Sequence, residues 1–232
     1  MTKNPIPEMR IGAIFDWDGV VIDSSEHHEK SWEMLAEEVG ESLPPDHFKR
    51  GFGKRNAVII PEILNWSQDP AEIERWSLRK EELYREVVAE RGLRALDGVR
   101  QLLDELNEAK IPCIVGTSTE RANVEMSLEL LSLHGQFSDM VCSEDVSRGK
   151  PDPEVFLKAA EKTGLPPERC FVIEDTAHGL EAALAGGMKA IGVATTRPAE
   201  HLAVAHWVAT DMTQLNLATI QSLFEDVPII SR

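Results

Sequence analysis

Asp16 and Asp18 stand two residues apart in Phe15-Asp16-Trp17-Asp18-Gly19-Val20, directly after the apolar run Ile11–Phe15. Alternate residues of an extended chain point the same way, so both carboxylates face one side. Two anions that close repel each other unless a proton or a cation relieves them, and hard oxygen ligands favour Mg²⁺. A second acid pair, Glu174-Asp175, ends the apolar run Cys170–Ile173 and precedes Thr176. Its carboxylates can complete an oxygen shell for the same ion. The loop Thr117-Ser118-Thr119 follows Val115-Gly116 and offers hydroxyl and amide groups suited to a phosphate oxygen. Lys150, in Gly149-Lys150-Pro151-Asp152-Pro153, supplies a positive charge. Each part also has an ordinary structural use. The first acids can decorate a surface turn that Gly19 permits, and Asp175, Thr176 or the Thr117–Thr119 hydroxyls can cap helices. Asp152-Pro153 is a good helix start with Lys150 solvated beside it.

The elements that must position these residues follow from hydrophobic periodicity. Ile11–Phe15, Ile111–Gly116, Met140–Cys142, Cys170–Ile173 and Ala190–Val193 are short apolar runs that predict buried strands. Val99–Ala109, Val124–Leu133, Pro153–Thr163 and Gly179–Gly186 carry apolar residues at steps of three and four and predict helices. Strands alternating with helices indicate a doubly wound parallel α/β sheet, in which ligands bind outside the carboxyl ends of the strands. The acid pairs, the hydroxyl loop and Lys150 all follow predicted strands. Residues 24–92 break the alternation. Glu26–Val39, Ala57–Leu64 and Ala71–Val88 predict helices there, interrupted by Pro44-Pro45, and no strand. Such a stretch is too long for a linker within a compact sheet. It predicts an inserted helical domain, with residues 1–23 and 93–232 forming a discontinuous core.

The composition limits the partners. The formal net charge is −16, from 24 basic and 40 acidic residues. Such a surface repels nucleic acid and anionic lipid, so neither is expected as a partner, and an anionic ligand needs a local positive charge. Cys113, Cys142 and Cys170 form no C-x-x-C pair and lie in or beside apolar runs, so buried, reduced thiols in a reducing compartment are expected. MTKNPIPEMR lacks the apolar stretch of a signal peptide, and no run approaches a membrane span, so a cytoplasmic location is expected.

The four ordered motifs resemble those of the haloacid dehalogenase (HAD) superfamily, in the branch of β-phosphoglucomutase and related sugar-phosphate phosphatases, from about Arg10 to Phe224. The resemblance implies a Rossmann-like core with an α-helical cap. It implies hydrolysis of a small phosphorylated metabolite through an aspartyl phosphate on Asp16. Asp18 would be the acid and base, while Thr117 with Gly19, Ser118 and Thr119 would hold phosphate. Lys150 would offset charge, and Mg²⁺ would be bound by Asp16, Asp18 through its main chain, Asp175 and Glu174. Asp23-Ser24-Ser25-Glu26, with His28 and Trp32, also resembles this branch.

In the helical insert, Lys54, Arg55, Asn56, Lys80 and His28 are candidates for reading the rest of the substrate, although each also suits a solvated or capping position. Trp66 and Trp76 suit packing within the insert, and Trp17 is expected to point into the core. A phosphosugar mutase needs the same motifs. Mutases of the branch carry G-x-x-R in the cap, whereas Gly51-Phe52-Gly53-Lys54-Arg55 has Lys54 at that spacing and Arg55 one position late. A non-catalytic phospholigand-binding protein on this fold would be expected to lack Asp16, Asp18 or Asp175, and all are present. A monomer or weak homo-oligomer is expected.

Overall fold

A computed structural model describes residues 10–226 of the 232-residue chain. Strand β1 (Gly12–Phe15) is buried throughout, as a central strand covered on both faces must be. The chain then leaves the sheet for a helical insert. This comprises α1 (Ser25–Val39), the short α2 (His47–Gly51), α3 (Asn56–Val58) running into a π-helical turn at Ile59–Leu64, and the long α4 (Pro70–Arg91). It returns through α5 (Val99–Glu108) to β2 (Cys113–Gly116), then α6 (Arg121–Leu130), β3 (Asp139–Val141) and α7 (Glu154–Thr163). After these come β4 (Cys170–Glu174), α8 (Ala177–Ala185), β5 (Lys189–Val193), β6 (Trp207–Ala209) and α9 (Leu217–Ser222).

The six strands form one sheet in the order β3-β2-β1-β4-β5-β6, every pair parallel. This is the expected Rossmann-like α/β architecture. Strand order reverses at β1 and β4, and the crevice above such a switch point is where ligands bind in open α/β sheets. Phe15 is in register with Ile173, so Asp16 and Glu174 emerge side by side at the carboxyl edge. Alternation along β1 sends Ala13 and Phe15 into one apolar layer, with Leu102, Leu103 and Leu106 of α5. Ile14 enters the opposite layer, with Phe156 of α7 and Leu180 of α8. The insert has its own apolar cluster, in which Trp32, Leu35, Ile60 and Leu83 join α1 and α4. Trp66 packs edge-on against both Trp32 and Trp76, as expected for packing residues. Trp17 is fully buried and meets Phe137 edge-on at 5.8 Å. All three cysteines are buried and free. Among the described residues no helix is long and apolar enough to cross a membrane.

The structure differs from the sequence expectations at three places. The predicted helix over Ala57–Leu64 is a single α turn followed by a π turn that ends at Asn65, with φ 55°. Pro61 has no N–H to give an α-helical bond, and the wider turn accommodates this. Strand β6 was not expected, because three residues at a sheet edge leave too short a pattern to read. Helix α2 is likewise a short extra element after Pro44-Pro45.

Phe156 ties the sheet to the site, because it is fully buried against β1 and β2 and the Lys150 ammonium lies 4.7 Å from its ring centre. Phe156→Ala is expected to lower unfolding free energy by about 3–5 kcal/mol in denaturant melts. A loss below about 1 kcal/mol would contradict this packing.

Candidate active site

The site starts from strand ends. The Asp16 amide donates to Ile173 O at 3.0 Å, which fixes the first residue beyond β1 against β4. The chain then reverses sharply. Gly19, at φ 79°, donates its amide to Ile22 O at 2.9 Å, and a Cβ here would run into the Asp175 carboxylate. Thr195 Oγ1 bonds Gly19 O from the loop after β5. With its amide and carbonyl both engaged, Gly19 shapes the turn, and the phosphate-binding part expected of it has no free amide to rest on.

Asp16, Glu174 and Asp175 converge from β1 and β4, each offering a carboxylate oxygen within 4.8 Å of the others. All three are buried, Asp16 at 5% exposure and Asp175 at 0%. Lys150 Nζ lies between two of them, 2.8 Å from Asp16 Oδ1 and 2.7 Å from Glu174 Oε1. Burial alone would lower the proton affinity of this lysine, but the two carboxylates more than reverse it. Glu174 also accepts from the Thr176 amide and hydroxyl at 2.7 Å each; burial would raise it, but Lys150, then His178 and the Thr176 hydroxyl, hold it low. One ammonium does not balance three carboxylates. Burial raises Asp16 to about 7, with Lys150 opposing and Glu174 adding to the rise. Burial and the Glu174 and Asp16 charges push Asp175 well up. Thr196 Oγ1 bonds Asp175 Oδ2, while Asp175 Oδ1 is buried without a partner. A set of hard oxygen donors, short of positive charge and with a buried lone pair free, fits a divalent cation.

Asp18 has a different environment. Its carboxylate accepts from Ser24 Oγ at 2.5 Å, from His28 Nε2 at 3.1 Å and from Thr119 Oγ1. Burial would raise it, but His28 and the hydroxyl donors prevail and hold it below the usual carboxylate range. Behind it stands a chain of donors. Lys80 Nζ is 2.7 Å from His28 Nδ1. An ammonium can only donate, so Nδ1 accepts and the ring directs Nε2–H at Asp18. His28 stacks on Tyr84 at 4.1 Å, which fixes the ring plane.

Lys80 also bonds Glu81 at 2.9 Å, so two of its three N–H groups are engaged within the insert, and it lines the cavity with His28. Asn56, which also lines the cavity, donates its Nδ2 to Glu81 Oε1 at 2.7 Å. Thr119 serves Asp18 through its hydroxyl, and its amide donates to Thr117 Oγ1 at 3.1 Å. Thr117 and Ser118 line the same cavity as Asp16 and Asp18, with Lys54 and Arg55 facing them from the insert. Arg55 also reaches Ser147 O at 3.3 Å.

Glu81 and Asn123 were not read from the sequence. Glu81, buried in α4, accepts from Asn123 Nδ2 at 2.6 Å, and Arg85 donates to Asn123 Oδ1 at 2.8 Å, joining insert to core. The only sequence signal was an acid next to Lys80 in a helix already full of charges.

A family model described as haloacid dehalogenase-like hydrolase matches residues 13–193. Over 216 residues, 92% of this chain, the sequence is 37% identical to a chloroplastic 5-amino-6-(5-phospho-D-ribitylamino)uracil phosphatase of Arabidopsis thaliana, and the chain spans 57% of that protein's length. It is 31% identical to validoxylamine A 7'-phosphate phosphatase of Streptomyces hygroscopicus, covering 88% of this chain and 94% of that protein. The crystal structure of β-phosphoglucomutase from Clostridium difficile superposes with a TM-score of 0.84 at 25% identity, covering 94% of this chain and 98% of the other.

The raised carboxylates fix how stability responds to pH. In the folded, metal-free protein Asp16 titrates near 7 and Asp175 is raised as well. From the ordinary carboxylate value up to about 7, the folded state thus holds more protons than the unfolded one, and these groups cost stability as pH rises. Asp18 and Glu174 are depressed and act with the opposite sign only below that window. A bound divalent cation removes the penalty. The Mg²⁺-induced rise in Tm, read against an EDTA control, is expected to be larger at pH 7.5 than at pH 5.5, by about 1.4 kcal/mol for each tenfold gain in apparent affinity. A rise that is equal at both pH values would contradict the carboxylate cluster as the binding site.

Proposed function

The chain belongs to the haloacid dehalogenase-like hydrolase family, and from this we propose that it is a Mg²⁺-dependent phosphatase that hydrolyses a small phosphorylated metabolite through an aspartyl phosphate on Asp16. The observation that carries the reading is the separation of two carboxylates only two residues apart. Asp16 shares a cation-seeking cluster with Asp175 and Glu174, while Asp18 is held apart as an anion by Ser24, His28 and Thr119. Titratable neighbours pushed in opposite directions suit a nucleophile beside an acid–base group.

In this reading one Asp16 oxygen attacks phosphorus and the bond to the leaving oxygen breaks, dividing one difficult displacement into two easier ones. Mg²⁺ held by Asp16, Asp175, Glu174 and the Asp18 main chain would neutralise carboxylate and phosphate charge, so that two anions can meet. Lys150 offsets charge on Asp16, and Thr117 with Ser118 holds phosphate oxygens. Asp18 passes a proton to the leaving oxygen. The chain from Lys80 through His28 supplies that proton, because Asp18 itself rests ionised. In the second half Asp18 takes a proton from the water that attacks the aspartyl phosphate.

Residues 24–92 act as a cap that closes over Asp16 and excludes bulk water, and the Glu81–Asn123 bond supports this closure. The enzyme is read as cytoplasmic, where its free thiols stay reduced, and as a monomer or weak homo-oligomer. The relatives' names cover both a 5-phospho-D-ribitylaminouracil and validoxylamine A 7'-phosphate, so they leave the leaving group open. A mutase reading is disfavoured because Arg55 is partly engaged with Ser147 O, and Lys54 stands where mutases of the branch carry arginine.

Asp16→Asn is expected to cut phosphate release by at least about a thousandfold while leaving circular dichroism and Tm intact. EDTA is expected to abolish turnover and Mg²⁺ to restore it. Retained turnover in the variant, or full activity in EDTA, would overturn the reading. Conversion of β-glucose 1-phosphate to glucose 6-phosphate without phosphate release would favour the mutase instead.

A further inference from the structure

The strand on the outer side of β4 brings a further loop to the acid cluster. Glu174 is in register with Gly192 of β5, so the turn Ala194-Thr195-Thr196 that follows β5 rises beside Asp175. The Ala194 amide donates to Ala209 O at 2.9 Å and ties this turn to the end of β6. Threonines that leave a strand commonly cap the next helix. These two do not, because the next helical turn begins only at Ala199, after Pro198, and takes no side-chain cap. Both hydroxyls are directed back to the site instead. Thr195 Oγ1 donates to Gly19 O, in the turn that follows Asp16 and Asp18, and Thr196 Oγ1 donates to Asp175 Oδ2.

Asp175 has no freedom left on that side. Its side chain is fully buried, and Gly19, at φ 79°, passes so close that a Cβ there would run into Asp175 Oδ2 and Thr196 Cγ2. Oδ2 is therefore held between a hydroxyl donor and a backbone turn, while Oδ1 is buried with no partner among the described residues. A carboxylate that gives a cation both oxygens must turn both toward it, and the Thr196 bond prevents that here. The two common hard cations differ on this point. Ca²⁺ takes about six to eight oxygens and accepts carboxylates through one or both of theirs, whereas Mg²⁺ demands a smaller, near-octahedral shell.

We infer that Thr196 is a positioning residue for the ion and sets which ion the site prefers: by holding Oδ2 it makes Oδ1 the one oxygen that Asp175 gives, which favours Mg²⁺ over Ca²⁺. Without the hydroxyl, Oδ2 is free to turn with Oδ1 toward the larger ion, and Oδ1 loses its fixed direction for the smaller one. This rests on the metal-dependent reading above and goes beyond it, to a residue that holds the ligand rather than the ion.

The test titrates Mg²⁺ and, separately, Ca²⁺ into the full chain after EDTA treatment and dialysis, without substrate, and reads both by calorimetry. Thr196→Val keeps the volume and removes the donor, and Thr196→Ser keeps the donor. Thr196→Val is expected to weaken Mg²⁺ more than Ca²⁺, and to lower the ratio of the Ca²⁺ to the Mg²⁺ dissociation constant by about tenfold or more, the scale on which partners of metal ligands act. Thr196→Ser is expected to keep that ratio within about threefold of the unmodified chain, since its hydroxyl can still orient the ligand. A role confined to folding would lower the metal-free Tm and leave the ratio where it was. An unchanged ratio in Thr196→Val, or an equal shift in Thr196→Ser, would therefore overturn the inference. Should Thr196→Val fail to fold, Thr196→Ala is read in the same way. Phosphate release from acetyl phosphate with Mg²⁺ is followed alongside. No release from a chain that binds Mg²⁺ and shows the expected change of ratio would remove the phosphatase reading and leave the role of Thr196 standing. A chain that binds neither ion would remove both.

Discussion

Three carboxylates are buried around one ammonium at the carboxyl edge of this sheet, and that imbalance governs the rest of the site. Water cannot solvate Asp16, Glu174 and Asp175, which are 5%, 1% and 0% exposed. Lys150 serves two of them at once, and Asp175 keeps a buried oxygen with no partner. Isolated buried charge is costly, so the folded chain must either hold protons there or admit a cation. The parallel register of β1 and β4 makes the arrangement unavoidable, because it sets Asp16 beside Glu174 at the point where strand order reverses.

The helical insert contributes to the same electrostatic design from above. Through His28 and Lys80 it reaches Asp18, and through Glu81 it reaches Asn123 on the core. Asp16 and Asp18, neighbours in sequence, therefore sit in opposed environments, one seeking positive charge and the other already satisfied. The chain as a whole carries −16, so an anionic ligand would depend on local charges such as Lys54 and Arg55, which line the cavity beside Asp16.

Much of this was legible along the chain, for a physical reason. A buried strand followed by an acid or a hydroxyl loop is a local pattern, so Asp16, Asp18, Glu174, Asp175 and Thr117 could be picked out and placed at strand ends, and Lys150 in the loop beyond β3. The insert was visible because its helical periodicity interrupts the strand–helix alternation. What stayed hidden depends on contacts between distant segments. Glu81 meets Asn123 across 42 positions of sequence, and Lys80 meets His28 across 52. No local pattern separates a buried lysine of this kind from a solvated one, so the bonds of Lys80 to His28 and Glu81 cannot be read from the sequence. Strand β6 and the π turn at Ile59–Leu64 escaped because each is shorter than the period needed to see it.

Convergence on a single divalent ion is the claim that everything else rests on, and anomalous diffraction from crystals grown with Mn²⁺ in place of Mg²⁺ addresses it most directly. The account predicts one strong peak per chain at the carboxyl edge of the sheet, within about 2.5 Å of one oxygen of Asp16 and one of Asp175, as hard oxygen coordination requires. A peak elsewhere on the protein, or none at saturating Mn²⁺ with these side chains ordered, would contradict it.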